Sequence, residues 1–437
     1  MCSSILQLLF NAADIIVVGR FAGDDSLAAV GSNTSLIGLL TNLFIGLSIG
    51  ANVLTARYYG AKKQRELRRT VHTAMLLSMI SGLLLTVIGI IGARSILRLM
   101  NTPESVLDLA TLYLRIYFLG MIAMMVYNFG SAILRAIGDT RRPLYYLAIA
   151  GLINVVLNLF FVIQLKMDVA GVATATVISQ CVSAFLILRC LQRGEGAIKL
   201  HLSKIHIYKD NLKKIMEIGL PAGFQGILFS LSNVAIQASI NSFGEIVMAG
   251  NSAAANIENF VYFAMNAFYQ AAISFTSQNM GAGKYERIHK IMFRSQACAV
   301  VAGLVLGNLA FLFGHTLLGI YTTSEAVIQA GMCRLSIVSC TYALCGIMDT
   351  MVGSLRGLGY SLTPMLVSLI GVCALRLVWI GTIFQMEQFH TVEMIYWSYP
   401  VTWILTASAH ILCYIWAMKK LKRKVEAIRD EKNRLCA

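Results

Sequence analysis

Twelve long apolar runs follow one another along the chain, most of them long enough to cross a bilayer. About 20 consecutive apolar residues cover the roughly 30 Å of hydrocarbon as an α-helix. The runs lie near 1–19, 26–56, 70–93, 108–134, 143–163, 169–190, 215–240, 247–278, 292–314, 327–355, 363–384 and 394–418. Charged residues make up 13% of the chain and hydrophobic residues 57%, whereas soluble domains carry about 25% charged residues. No water-soluble interior absorbs that apolar surface, so lipid must cover part of it. Apolar side chains ring the runs rather than forming one stripe, as helices with lipid-facing and bundle-facing sides require. Pro103, Pro143 and Pro364 stand at predicted helix starts, where the missing N–H costs nothing. The fold class is all-α and membrane-integral, with twelve transmembrane helices. The ten cysteines form no Cys-x-x-Cys pair, and Cys181, Cys340, Cys345, Cys373 and Cys413 lie inside apolar runs, which predicts buried free thiols.

The formal net charge is +15, from 36 Lys and Arg against 21 Asp and Glu. In a soluble chain that excess would point to nucleic acid. Here the cations gather in alternate connections: 57–69, 135–142, 189–214, 284–294, Arg356 and the tail from Lys419 to Arg434. Basic loops stay on the cytoplasmic side. The pattern predicts a multi-pass protein of the cell membrane with both termini cytoplasmic, no nucleic-acid partner, and a solvated basic tail beside the lipid.

One shift of 221 residues aligns the two halves without gaps: Gly23 with Gly244, Gly60-Ala61 with Gly281-Ala282, Glu104 with Glu325, Leu134-Arg135 with Leu355-Arg356, Gly138 with Gly359, and Pro143 with Pro364. Each repeat holds six spans, an even number, so both halves cross in the same sense. This is the parallel-repeat plan of secondary transporters, whose sites lie near the midplane. The expected organisation is a six-helix lobe over 1–190, with its first helix shortened because Pro221 has no counterpart, a cytoplasmic linker over 191–211, a second six-helix lobe over 212–418, and a basic tail over 419–437.

An ionisable side chain inside a membrane costs about 2.5–3.5 kcal/mol or more and is a functional candidate by default. Asp14, Glu258 and Asp349 are the acids that qualify. Asp14 shares a helix face with Asn11 and Gln7, one and two turns before it. Its carboxyl can load and release H+ or Na+. Asn154 and Asn158 stand four apart in span five, and span six holds Thr174, Thr176 and Gln180; such residues also serve as interhelical glue. Glu258 and Asp349 either bind a substrate cation or pair structurally. Arg115, Arg334 and Arg376 lie within or beside spans, but the intramembrane charges lean acidic. Gly281-Ala282-Gly283-Lys284 is followed by Tyr285 and lacks the first glycine of a phosphate loop. His201 and His206 have no further ligands that would complete a metal site. Gly19-x-x-x-Gly23, Gly46-x-x-x-Gly50 and Gly353-x-x-x-Gly357 suit close helix packing.

Span one carries Gln7, Asn11, Asp14 and Gly19, followed by Leu27-Ala28-Ala29-Val30-Gly31, Gly60-Ala61-Lys62 and Leu134-Arg135-Ala136-Ile137-Gly138-Asp139. Further along stand Gly171-Val172-Ala173, Gln278-Asn279-Met280-Gly281-Ala282 and Arg356-Gly357-Leu358-Gly359. In the order and spacing of these fragments the chain resembles the multidrug and toxic compound extrusion (MATE) family over nearly its whole length. The resemblance implies two six-helix lobes around a cavity, and export of organic, often cationic, compounds in exchange for H+ or Na+. Asp14 matches the family's ion-coupling acid, and Asn154 and Thr176 match polar positions of its first-lobe cation site. Asn158 stands where some relatives carry a second Asp, which removes one charge and leaves the ion identity open; a site of one carboxylate with two Asn and one Thr slightly favours H+ over Na+.

The expected function is therefore an ion-coupled antiporter of small organic molecules. It needs no cofactor, is not an enzyme, contacts membrane lipid and acts as a monomer. Polarizable Met265 and Met348 and aromatic Phe268 and Tyr269 are expected to line the substrate cavity with Glu258 and Asp349; ordinary packing is the competing reading. The alternative function is a flippase for a lipid-linked glycan or related amphiphile, which requires a cationic cavity. A membrane enzyme would need a nucleophile–base pair or metal cluster, and none is recognisable.

Overall fold

The computed structural model describes residues 24–100 and 102–436, with residues 6, 9, 10 and 17. Among them every regular element is helical. The first unit contains α1 (Asp24–Gly60), α2 (Gln64–Leu99), α3 (Glu104–Leu119), α4 (Met121–Ala136), α5 (Arg141–Leu159) and α6 (Asp168–Arg193), and a π-turn, Phe160–Gln164, ends α5. Next come α7 (Lys209–Asn241), α8 (Glu245–Gly281), α9 (Tyr285–Leu312) and the short α10 (Gly314–Gly319). Then follow α11 (Glu325–Arg334), extended by a π-turn over Leu335–Ser339, and α12 (Tyr342–Leu358). The chain closes with α13 (Leu362–Ser368), a π-segment Leu369–Ala374, α14 (Leu375–Gly381) and α15 (Val392–Cys436). Two compact units emerge: Met1–Ser230 with Gly281–Gly283, and Leu231–Met280 with Lys284–Ala437.

Eight helical runs are long and apolar enough to cross a bilayer, and the bent pairs α3–α4 and α11–α12 each make one more. At 37 residues α8 is also long enough, but Asn251, Asn256, Glu258, Asn259 and Asn266 dilute its apolar character. Eleven of the expected spans thus correspond to a helix or bent pair; the span at 1–19 lies largely outside the described residues. The helices overrun the expected limits. Arg65, Arg68 and Arg69, assigned to a loop by their charge, are the first turns of α2, because a helix can continue past the hydrocarbon and carry its charges into water.

The 221-residue shift reappears in the backbone. α1 and α8 begin at Asp24 and Glu245 and end at Gly60 and Gly281; α2 and α9 begin at Gln64 and Tyr285; α5 and α13 begin at Arg141 and Leu362. The C-termini of α4 and α12 close identically. Gly138 and Gly359 adopt φ of 96° and 102°. The N–H of Asp139 donates to the Leu134 carbonyl, and that of Tyr360 to the Leu355 carbonyl, both at 3.0 Å. This six-to-one bond with a left-handed residue is the Schellman motif, which favours glycine.

Both repeats also break one span midway. α3 and α4 meet at 48°, α11 and α12 at 46°. A break frees backbone carbonyls that lipid cannot satisfy. In the first unit the Thr86 hydroxyl of α2 donates to the Phe118 carbonyl at 2.8 Å. In the second unit the corresponding residue is Gly307, which lies directly against the Ser339 carbonyl, and there the turn widens into a π-turn. The same bend is accommodated by a hydroxyl in one repeat and by a changed helical pitch in the other.

α4 packs against α1, α2 and α6, and α12 against α9 and α15. Met121, Met125 and Phe129 of α4 are fully buried. Small residues set the tightest crossings. Gly46 and Gly50 of α1 meet the backbone of α7 at Gly219, Gly223 and Ile215, while Gly353 and Gly357 of α12 lie against Tyr269 and Thr276 of α8. The expectation of buried thiols holds for Cys345 and Cys373 but not for Cys181, which is exposed on α6; an apolar run has a lipid side as well as a bundle side.

Thr86→Val keeps the side-chain shape but leaves the Phe118 carbonyl without its hydroxyl donor. A buried group stripped of its partner costs about 1–3 kcal/mol. The variant is expected to lower the melting temperature of the purified protein, and Thr86→Ser to retain it.

Candidate functional site

In the first unit the polar residues of spans five and six converge. Asn154 and Asn158 are one turn apart on α5, at 4% and 0% exposure, so both face into the bundle. α6 packs along α5 and brings Thr176 to them. The Asn158 Nδ2 donates to the Asn154 Oδ1 at 3.3 Å, and the Asn154 Nδ2 to the Thr176 Oγ1 at 3.4 Å. The Thr176 hydroxyl donates to the Val172 carbonyl at 2.9 Å. A hydroxyl has one proton, and this one is committed to Val172. Thr176 can then only accept from Asn154, and Asn154 accepts from Asn158, so the three residues form one ordered chain of hydrogen bonds. The π-turn that follows α5 begins two residues later; such turns recur at functional sites.

Phe10 lies against Gly151, where any added side chain would overlap its ring. Gly151 is one turn before Asn154 on α5. Gln7, Asn11 and Asp14 lie outside the described residues. Thr174 is not part of the cluster, since its hydroxyl donates to the Ala170 carbonyl of its own helix. Gln180 covers Gly120 at the α3–α4 bend.

The second unit carries a larger polar centre. Glu258 of α8, 2% exposed, receives a fork from Arg334 of α11: Nε to Oε1 at 3.1 Å and Nη2 to Oε2 at 2.7 Å. The Arg334 Nη1 donates to the Asn251 Oδ1 at 2.6 Å, and the Asn251 Nδ2 to the Gln237 Oε1 at 2.9 Å. The guanidinium lies over Tyr396 and Tyr399, 5.6 and 5.4 Å from their centroids. Arg376 stacks on Tyr399 at 4.0 Å and donates Nη2 to the Thr402 hydroxyl at 3.0 Å. Arg376 is 2% exposed, makes no ion pair among the described residues, and its buried Nε has no hydrogen-bond partner. Arg356 of α12 donates to the Tyr269 hydroxyl.

Of the two roles left open for Glu258, the contacts give pairing with Arg334. The charge buried in this unit is net cationic where the sequence reading leans acidic, since Arg334, Arg356 and Arg376 are buried beside Glu258. The pairing joins residues 76 positions apart, a distance at which sequence gives no signal. Asp349 is half-buried on α12. The Met265 sulfur lies against Gly303 and Gly346, so that side chain fills the seam between α8, α9 and α12. Met348 and Tyr269 are buried and Phe268 is half-buried.

The MatE family model matches residues 1–160 and again 221–380, the same doubled unit that the internal repeat describes. The chain belongs to the MATE family. A probable multidrug resistance protein of Bacillus subtilis is 26% identical over 98% of this chain and 94% of its own length. An FAD transporter of Shewanella oneidensis is 22% identical over 94% and 90%. Among solved structures, a MOP superfamily transporter from Pyrococcus furiosus, reported with a binding pocket of reverse polarity, has a TM-score of 0.88 at 22% identity, covering 97% of this chain and 93% of that one. This MATE protein is thus a multi-pass membrane transporter.

Removing one partner of a buried ion pair costs about 3–5 kcal/mol, whereas replacing both by apolar groups is often neutral. Glu258→Leu and Arg334→Met are each expected to lower the melting temperature in detergent. The double variant is expected to recover most of the loss.

Proposed function

We propose that this protein is a secondary antiporter that exports organic, mainly cationic, compounds in exchange for H+ or Na+. The ion-responsive site consists of Asp14, Gln7, Asn11, Asn154, Asn158 and Thr176. The observation that supports this reading is the convergence of Asn154, Asn158 and Thr176 in one hydrogen-bonded chain inside the bundle. Amide and hydroxyl oxygens suit a protonated carboxyl, which donates, or a Na+ ion. Asp14 follows Phe10 by four residues in sequence, and Phe10 rests against Gly151 of α5, three residues before Asn154. The charged and neutral forms of Asp14 therefore favour different packings of span one, and a bound ion shifts an equilibrium by its differential affinity for the two states. One carboxylate among amides and a hydroxyl favours H+ over Na+.

Asp349 and the aromatic and Met side chains Tyr269, Phe268 and Met348 supply the substrate contacts in this reading. Glu258 contributes to them through its ion pair, and Met265 by supporting the seam. The basic helix ends and both termini face the cytoplasm, the protein works as a monomer, and transport requires no cofactor. A second reading is favoured by Arg376, a buried cation without an ion-pair partner among the described residues: a cargo with an anionic head, such as a lipid-linked glycan or related amphiphile. The FAD transporter among the relatives is consistent with an anionic cargo.

Uptake of cationic dyes into inside-out vesicles, under separate H+ and Na+ gradients, tests the first reading. Asp14→Asn is expected to lower gradient-driven uptake by about tenfold or more, the scale of a typical coupling free energy, while dye binding persists. Uptake at the unsubstituted rate removes Asp14 from the mechanism. Gradient-independent movement of an anionic lipid, abolished by Arg376→Gln, selects the second reading.

A further inference from the structure

The segment between α6 and α7 folds back onto the first turns of α2 and forms with them an open pocket of about 550 Å³. Gln64, Arg65, Arg68, His72, His201 and Lys204 line it, with Arg69 and Tyr208. The lining holds three arginines and a lysine and no carboxylate. Glu66, just outside the lining, pairs with Arg69 at 3.0 Å, and Arg69 lies over the Tyr208 ring at 5.1 Å. That arginine is held by the fold, whereas Arg65, Arg68 and Lys204 make no ion pair among the described residues.

The cavity is built rather than a chance gap between mobile side chains. The Tyr208 N–H donates to the Thr73 hydroxyl at 3.1 Å, and the Asn211 Nδ2 to the Thr70 hydroxyl at 2.8 Å. His72 is 4% exposed and its Nδ1 lies 3.0 Å from the Lys204 carbonyl. A carbonyl only accepts, so Nδ1 carries the proton and donates. The Nε2 is then buried without a side-chain partner among the described residues, with the Lys199 backbone close to the ring. It accepts from a ligand O–H when the ring is neutral, and donates to a ligand oxygen when the ring is an imidazolium. No side chain caps the first turn of α2 either, and Gln64 and Arg65 of that turn face the cavity.

We propose that this cavity binds a phosphomonoester group. Such a group offers anionic oxygens to Arg65, Arg68 and Lys204 and, in its singly protonated form, an O–H for His72. A volume of about 550 Å³ falls within the roughly 300–1,000 Å³ of small-molecule sites, which suits one headgroup rather than a folded partner. The site stands at the basic end of a spanning helix, the level at which basic pockets meet anionic lipid. The phosphate can belong to a lipid headgroup such as phosphatidic acid or to a free phosphorylated molecule; the chemistry of recognition is the same.

The experiment titrates the purified full-length protein in detergent with short-chain phosphatidic acid, with short-chain phosphatidylcholine, and with inorganic phosphate, following binding by calorimetry. Phosphatidic acid is expected to bind saturably at one site per chain, and phosphatidylcholine not to. Arg68→Gln and Lys204→Gln, both at exposed positions, are each expected to raise the Kd by about tenfold, the value of one charge-assisted hydrogen bond. If inorganic phosphate binds with the same dependence on these residues, the free anion is sufficient; if it does not bind while phosphatidic acid does, the lipid is the ligand. Absence of saturable binding by both phosphates, or an unchanged Kd in both variants, overturns the proposal.

Discussion

Hydrocarbon offers no hydrogen-bond partner, so every polar group that enters it must be answered from within the protein. The long helices meet this demand for the backbone, and a few side chains meet it where the helices break or carry polar residues. Thr86 answers the Phe118 carbonyl at the first bend. Asn154, Asn158 and Thr176 answer one another. Glu258, Asn251 and two tyrosine rings surround Arg334. Polar contacts of this kind recur at the places where the chain departs from an uninterrupted apolar helix.

The duplication preserved backbone and replaced chemistry. Helix starts, the Schellman closures at Gly138 and Gly359 and the mid-span bends recur at one offset. Several side chains inside the spans do not, although Arg135 and Arg356 or Pro143 and Pro364 still match. Glu258 replaces Ile37, Arg334 replaces Tyr113, and Asp349 replaces Asn128. The first unit keeps a neutral amide chain, and the second has acquired a buried ion pair and an extra cation. Two copies of one scaffold have thereby taken on different electrostatic characters.

The spans, the repeat and the glycine crossings were legible in the sequence because each rests on local composition or on a constant spacing. Gly46-x-x-x-Gly50 states its own packing before its partner is known. The convergence of Asn154, Asn158 and Thr176 was legible in part, since two of the three share a helix face. The pairing of Glu258 with Arg334 was not, because it depends on which helices become neighbours. Nor was the stacking of Arg376 on Tyr399, or the cavity over α2, whose lining comes from a linker that composition marks only as polar. The bends were hidden for another reason: Gly120 in one repeat and Cys340-Thr341 in the other share no residue type that announces a break.

Those bends have an electrostatic consequence. Peptide dipoles add along a helix to roughly half a unit charge at each end, positive at the N-terminus and negative at the C-terminus. An unbroken span leaves those ends at the membrane surfaces, where water and salt screen them. α3 and α4 have 16 residues each, so their junction sets one negative and one positive end near the middle of the span. Neither end can be titrated. The two ends adjoin at Gly120, so the first unit keeps in its interior a local dipole that is the same at every pH.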